Sequence, residues 1–192
     1  MKPEQTKRIN PLRITRLKVK SASLPLHKAT HMKTQAAFEK KITAPSALPE
    51  RLDGLPRPLV FTNGCFDILH RGHVTLLAQA RDLGQSMIVA INSDASVKRL
   101  GKGDDRPVNT LSDRLAIVAA LESVTLVTWF EEDTPLACIH ACRPDVLVKG
   151  GDWHVDKIVG GKQVMGWGGK TVSIPFIHQK STTALLERIR RL

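Results

Sequence analysis

From about Pro56 onward, the apolar positions alternate between two patterns. Short unbroken apolar runs predict buried strands at Leu59–Thr62, Ser86–Ile91, Val124–Trp129, Val146–Val148 and Thr171–Pro175. Between them, apolar residues recur every three or four positions. That spacing predicts helices over Gly72–Leu83, Leu111–Leu121, Thr134–Cys142 and Thr182–Arg191. In the first helix, Val74, Leu77 and Ala78 or Ala80 should face inward, and Gly84 should end it. Pro135 suits the first turn of its helix, where a missing N–H costs nothing.

Strands alternating with helices predict an α/β fold: a parallel sheet with helices on both faces. The unalternating strands suit burial on both sides. In such sheets ligands bind beyond the carboxyl ends of the strands. Gly64–His73, Asn92-Ser93-Asp94, Lys149-Gly150-Gly151-Asp152 and Ser181-Thr182 all follow strands. No internal repeat is visible.

Charge divides the chain differently. Residues 1–57 hold 13 Lys/Arg and 4 Asp/Glu, whereas residues 58–192 hold 16 and 14. The formal charge of +11 therefore belongs mainly to the first segment. The expectation is a basic, mostly irregular N-terminal arm over 1–57, broken by prolines, with a short helix near Thr34–Lys41. The globular domain then spans 58–192. A basic arm can bind nucleic acid or an anionic membrane, but solvation is its commoner role, so a nucleic-acid partner is not expected. A misassigned start, with Met32 as the true one, is an alternative account of the arm. Its Arg and Ser/Thr content faintly suggests a transit peptide, but the helical pattern is poor. The first 30 residues lack a secretory apolar core, and no run reaches the roughly 18 apolar residues of a membrane span. Cys65, Cys138 and Cys142 form no disulfide framework and fit a reducing cytosol, so a cytoplasmic protein is expected.

The richest segment is Val60-Phe61-Thr62-Asn63-Gly64-Cys65-Phe66-Asp67-Ile68-Leu69-His70-Arg71-Gly72-His73. It joins an apolar strand, a glycine turn, and two histidines at a helix start. Backbone N–H groups and the helix dipole favour phosphate there. Imidazoles can donate to phosphate oxygens, and Gly72 permits close approach. Two other phosphate signatures fail. Gly169-Lys170-Thr171 imitates a P-loop ending, but Val164 occupies the first glycine position and a strand follows. Gly101-x-Gly103 lacks its third glycine, because position 106 is Arg. Cys138-x-His140-x-Cys142 has no fourth ligand and its spacing splits the set across a helix, so no metal site is assigned.

This segment matches every defined position of G-x-F-D-x-x-H-x-G-H and so resembles the nucleotidyltransferase superfamily. The resemblance implies a Rossmann-like sheet and attack on a nucleotide α-phosphate with loss of pyrophosphate. A phosphate nucleophile is already ionised, so the protein's work is positioning and charge neutralisation, usually with Mg²⁺ on the triphosphate. Further segments occur in order: Asn92-Ser93-Asp94 through Lys98-Arg99-Leu100, Arg106-Pro107-Val108-Asn109, Arg114, Phe130–Pro135, Leu147–Asp152 and Ser181-Thr182-Thr183. Together they resemble the adenylyltransferases that make ADP-heptose for lipopolysaccharide, found alone or behind a heptose kinase. The likeness covers about residues 58–192, and no kinase half is present.

That likeness implies ATP and a sugar 1-phosphate as substrates and a homodimer as the assembly. It makes His70 and His73 catalytic, holding the β- and α-phosphates. Thr62, Asn63, Gly64, Cys65, Phe66, Gly72, Ser181 and Thr182 would bind the nucleotide. Asp67, Asn92, Asp94, Lys98, Arg106, Arg114, Lys149, Gly151 and Asp152 are candidates for the phosphates or the sugar. Lys180 departs from the Cys or Gly that often precedes the Ser-Thr-Thr run. Several of these have plainer readings: Asp94 as a cap, Lys98 and Arg114 as surface charges, Ser181-Thr182 as an N-cap pair. Trp153 and Trp167 could stack on a base or sugar, or pack in the core. The nearest rival activity is a cytidylyltransferase for glycerol 3-phosphate or another phospho-alcohol. Rivals of another class are a nucleic-acid-binding protein led by the arm and a non-catalytic nucleotide sensor.

Overall fold

The computed structural model describes residues 36–101, 103, 105–178 and 180–192. The expectations for residues 1–35, including the alternative start at Met32, lie outside these. Five parallel strands form one sheet: β1 (Leu59–Gly64), β2 (Ser86–Asn92), β3 (Leu126–Phe130), β4 (Val146–Gly150) and β5 (Lys170–Ile174). Their order is β3-β2-β1-β4-β5. The chain builds outward from β1 to one edge, then returns to β4 and builds to the other. The reversal leaves a crevice between β1 and β4 at their carboxyl ends, where ligands bind in open α/β sheets.

The unbroken apolar runs form two cores because successive strand residues point to opposite faces. Val60, Met87, Val89, Ile91, Val127 and Val148 face one way, against Leu76, Leu77 and Ala80 of α2 (Arg71–Arg81) and Leu115, Val118 and Ala119 of α4 (Leu111–Ala119). Leu59, Phe61, Ile88, Ala90 and Leu147 face the other, against Cys138, Ile139 and Cys142 of α5 (Leu136–Cys142) and Val164 of α6 (Gly161–Gly166). The strands are covered on both sides, as their composition requires.

Three expectations need correction. First, the compact domain begins before residue 58, and the short helix expected near Thr34–Lys41 is part of it. Residues 37–41 and 45–47 form 3-10 turns, and α1 spans Leu48–Leu52. Thr43 donates its N–H to the Val127 carbonyl at 2.8 Å, and Ile42 bridges Val127. Leu48 is buried in the second core and Phe38 packs on the first. A few apolar residues spaced among prolines suffice to dock this segment, and its charge hid them. Second, Val74 is exposed: the buried stripe of α2 runs through Gly72, Leu76, Leu77 and Ala80, and Val74 lies outside it. Third, the sequence pattern missed α3 (Asp94–Arg99) and α6, which are both too short to show a period.

The docked segment makes a prediction. Leu48→Ala should destabilise the fold by roughly 2–5 kcal/mol, as for a buried leucine. Denaturant unfolding would read this. A change near zero would return residues 36–57 to the arm.

Candidate active site

At the carboxyl end of β1 the chain must turn sharply into α2. Phe66 takes a left-handed φ of +45°, which is costly for a bulky residue. The cost of such a conformation, about 1–3 kcal/mol, persists only where the surroundings enforce it. Here they do. The Phe66 ring is buried in the first core and meets the His73 ring edge-on at 5.3 Å. Arg114 donates to the Cys65 carbonyl at 2.7 Å, to the Asn109 carbonyl at 3.1 Å and to the Asp94 carboxylate at 2.7 Å. Its side chain is fully buried. Asp67, buried as well, accepts from the N–H groups of Val108 and Asn109 at 2.8 and 2.9 Å and from Arg106. Two buried charges thus hold the turn against the segment 106–114.

The turn delivers the two histidines. His70 is the N-cap of α2 and His73 lies in its first turn, so a spacing of three places them side by side. Their rings stack with centroids 3.8 Å apart. No side chain caps this helix start, and His73 donates its backbone N–H to the His70 carbonyl at 2.9 Å. A Cβ on Gly72 would meet the His70 ring at 3.1 Å, so the ring packs closely over the glycine.

The cavity measures about 460 Å³, within the usual range for small-molecule sites. Asn63, Gly64, Cys65, Phe66, Asp67, His70 and His73 form one wall. Lys180, Ser181, Thr182 and Thr183 close it at the start of α7 (Thr182–Arg190). Ser181 caps α7 by accepting from the Ala184 N–H at 3.1 Å. Arg106, Lys149, Gly150 and Phe176 complete the lining. A second cavity, about 400 Å³, adjoins it. The two share Asn63, Gly64, Cys65 and Lys149, and the second adds Asn92, Asp133, Trp153 and Lys157 among others.

Both cavities lie at the carboxyl ends of the strands, where the strand order reverses. A profile of the cytidylyltransferase-like family matches residues 61–185. The chain belongs to the cytidylyltransferase-like family. It is 54% identical over 160 residues to D-beta-D-heptose 1-phosphate adenylyltransferase of Bordetella bronchiseptica, covering 82% of this chain and 99% of that protein. It is 53% identical over 133 residues to the bifunctional protein HldE of Hahella chejuensis, of which it spans 28%. Within its family the chain therefore stands with the heptose 1-phosphate adenylyltransferases. A solved structure, the lipopolysaccharide core biosynthesis protein of Thermoplasma volcanium, superposes with a TM-score of 0.53 at 24% identity. It covers 64% of this chain and 98% of that one, and speaks for the fold alone.

Within this cytidylyltransferase-like framework the expected site residues are spread over several places, and Gly72 packs under the His70 ring without lining either cavity. Asn63 to Asp67, His70, His73, Arg106, Lys149, Ser181 and Thr182 line the first cavity, and Asn92 lines the second. Thr62 sits just below on β1, its hydroxyl buried without a partner. Arg114 and Asp94 lie behind the turn rather than in either lining, and their contact is with each other and the backbone. In this structure the Arg114 guanidinium is fully buried against protein, whereas the Asp94 side chain is 43% exposed. Lys98 and Asp152 are exposed and outside both linings. Gly151, at φ +107°, lies against Trp153.

Sequence reasoning gave no role to Phe176 or Leu76 in the first lining, nor to Lys157 in the second. The strand-end rule would have found Phe176, two residues past β5. Cys138 and Cys142 are core residues whose thiols burial pushes up to about 11 and about 12, so they are inert. No group of three or more His, Cys, Asp or Glu poised for a metal occurs among the described residues.

Burial lowers the His70 pKa below 6.5, while contact with its own backbone opposes the shift. The unfolded chain therefore takes a proton, as pH falls through 6.5, that the folded chain still refuses. Stability from this group is complete above that pH. It declines below it, until His70 protonates in the fold. The unfolding free energy, titrated from about pH 7.5 to about pH 5, should fall less steeply in His70→Gln than in the parent. Equal slopes would contradict the assignment.

Proposed function

We propose that the chain transfers AMP from ATP to D-glycero-β-D-manno-heptose 1-phosphate, giving ADP-heptose and pyrophosphate for lipopolysaccharide core synthesis. The chemistry rests on one observation: the stacked His70 and His73 at the uncapped start of α2, facing the cavity that Lys180 to Thr183 close. The choice of substrates rests on the 54% identity to the Bordetella enzyme over nearly its whole length. Those substrates belong to the cytosol.

An oxygen of the acceptor phosphate attacks the α-phosphorus. The bond from that phosphorus to the oxygen bridging the β-phosphate breaks, and pyrophosphate leaves with the electron pair. The nucleophile is already an anion, so no general base is needed. Charge builds on the non-bridging oxygens and on the leaving group. His70 and His73 meet it with N–H donors and the α2 terminus with backbone N–H groups. The α7 start and Lys180 act from the opposite wall. Mg²⁺ would be held by the triphosphate and would neutralise part of its charge. Asp67 and Arg114 act indirectly: they hold the turn on which the donors are mounted.

Donors that are stronger toward the transition state than toward bound ATP raise kcat. His73→Ala should therefore lower kcat by about 10²–10³-fold, the usual loss for such a donor, with the melting temperature little changed. Steady-state pyrophosphate release and a thermal melt would show both. Unchanged turnover in a folded variant would remove His73 from the mechanism.

A further inference from the structure

We propose that the second cavity holds the acceptor, and that Trp153 and Lys157 determine which phosphorylated sugar it takes. This deepens the adenylyltransferase reading and rests on it. In-line transfer requires the acceptor phosphate against the α-phosphate. If the nucleotide fills the cavity beside the histidines, the acceptor phosphate must reach the seam between the two cavities. That seam is Asn63, Gly64, Cys65 and Lys149. Lys149 is its cation and can serve both phosphates. The body of the acceptor then extends away from the histidines, into the second cavity.

The second cavity is furnished for a polyhydroxylated ring. Trp153 is half-exposed, which core packing does not explain. Its position is nevertheless fixed. The indole N–H donates to the Gly150 carbonyl at 3.1 Å, and the backbone N–H to Ser173 Oγ at 3.1 Å. A Cβ at Gly151 would lie 3.1 Å from the indole nitrogen, so the ring rests against a residue with no side chain. A rigid aromatic face beside polar groups suits the C–H face of a sugar. The polar groups are set in advance. Asn92 donates to Ser96 Oγ at 3.0 Å, which orients its amide, and Arg99 holds the Asp133 carboxylate at 2.6 Å. Lys157, on the 3-10 turn Val155–Lys157, adds a cation away from the seam, where it meets hydroxyls rather than the reacting phosphate.

The test uses the full chain with Mg²⁺, ATP and heptose 1-phosphate, varying each substrate at saturation of the other. Trp153→Ala and Lys157→Ala should each raise the acceptor KM roughly tenfold, the factor expected for one lost contact of about 1.4 kcal/mol. The ATP KM should stay within about twofold. Trp153→Phe should recover most of the loss, which a merely structural tryptophan would not require. An unchanged acceptor KM, or a rise confined to ATP, overturns the subsite. Tryptophan fluorescence with heptose 1-phosphate alone separates the two claims. Quenching that Trp153→Phe abolishes, without turnover, keeps the subsite and overturns the reaction. Turnover with normal KM in both variants does the reverse, and absence of both binding and turnover overturns both.

Discussion

Everything at this site depends on a turn that the backbone would not choose. Phe66 must adopt a left-handed conformation so that β1 can end and α2 begin within a few residues. Arg114 fixes the Cys65 carbonyl from behind, and Asp67 ties the far side of the turn to Arg106, Val108 and Asn109. Both charges are buried. A buried charge is tolerable only when its partners are in place, and removing one partner typically costs roughly 3–5 kcal/mol. That makes the arrangement nearly all-or-none: the turn is held in one shape, and the helix start is delivered to one place.

The sheet supplies the rest. Because the strand order reverses between β1 and β4, the loops after these strands diverge and leave room for ligands. The loop after β1 leads into the start of α2, which carries the histidines; the end of β4 carries Lys149, and the segment beyond β5 leads to α7. Strands from both halves of the sheet thus converge on one crevice. Two adjoining cavities with a common wall at Asn63 to Cys65 follow from that geometry. A reaction that joins two phosphorylated molecules needs such a seam.

Much of this was legible in the residues. Buried parallel strands have a composition that little else shares, and all five were placed within two residues of their observed bounds at each end. The motif around His70 and His73 pointed to the crevice beside α2 because its glycines and histidines have geometric duties. Three kinds of feature were not legible. Short elements such as α1 and α6 carry too few residues for a period. The docking of Leu48 and Ile42 was masked by the charge around them. The role of Arg114 was hidden because a buried arginine and a surface arginine look alike on a helix; its contacts with Cys65 and Asp94, 49 and 20 residues away in sequence, are what decide it. Comparable tertiary information decides that Trp153 lines a cavity while Trp167 packs on the second core.

The most direct test of the account is pyrophosphate release in four parallel reactions. ATP or CTP is paired with heptose 1-phosphate or glycerol 3-phosphate, in the presence of Mg²⁺. The account predicts release with ATP and heptose 1-phosphate, and background in the other three. Release with CTP and glycerol 3-phosphate instead would keep the fold and the histidine mechanism but contradict the function.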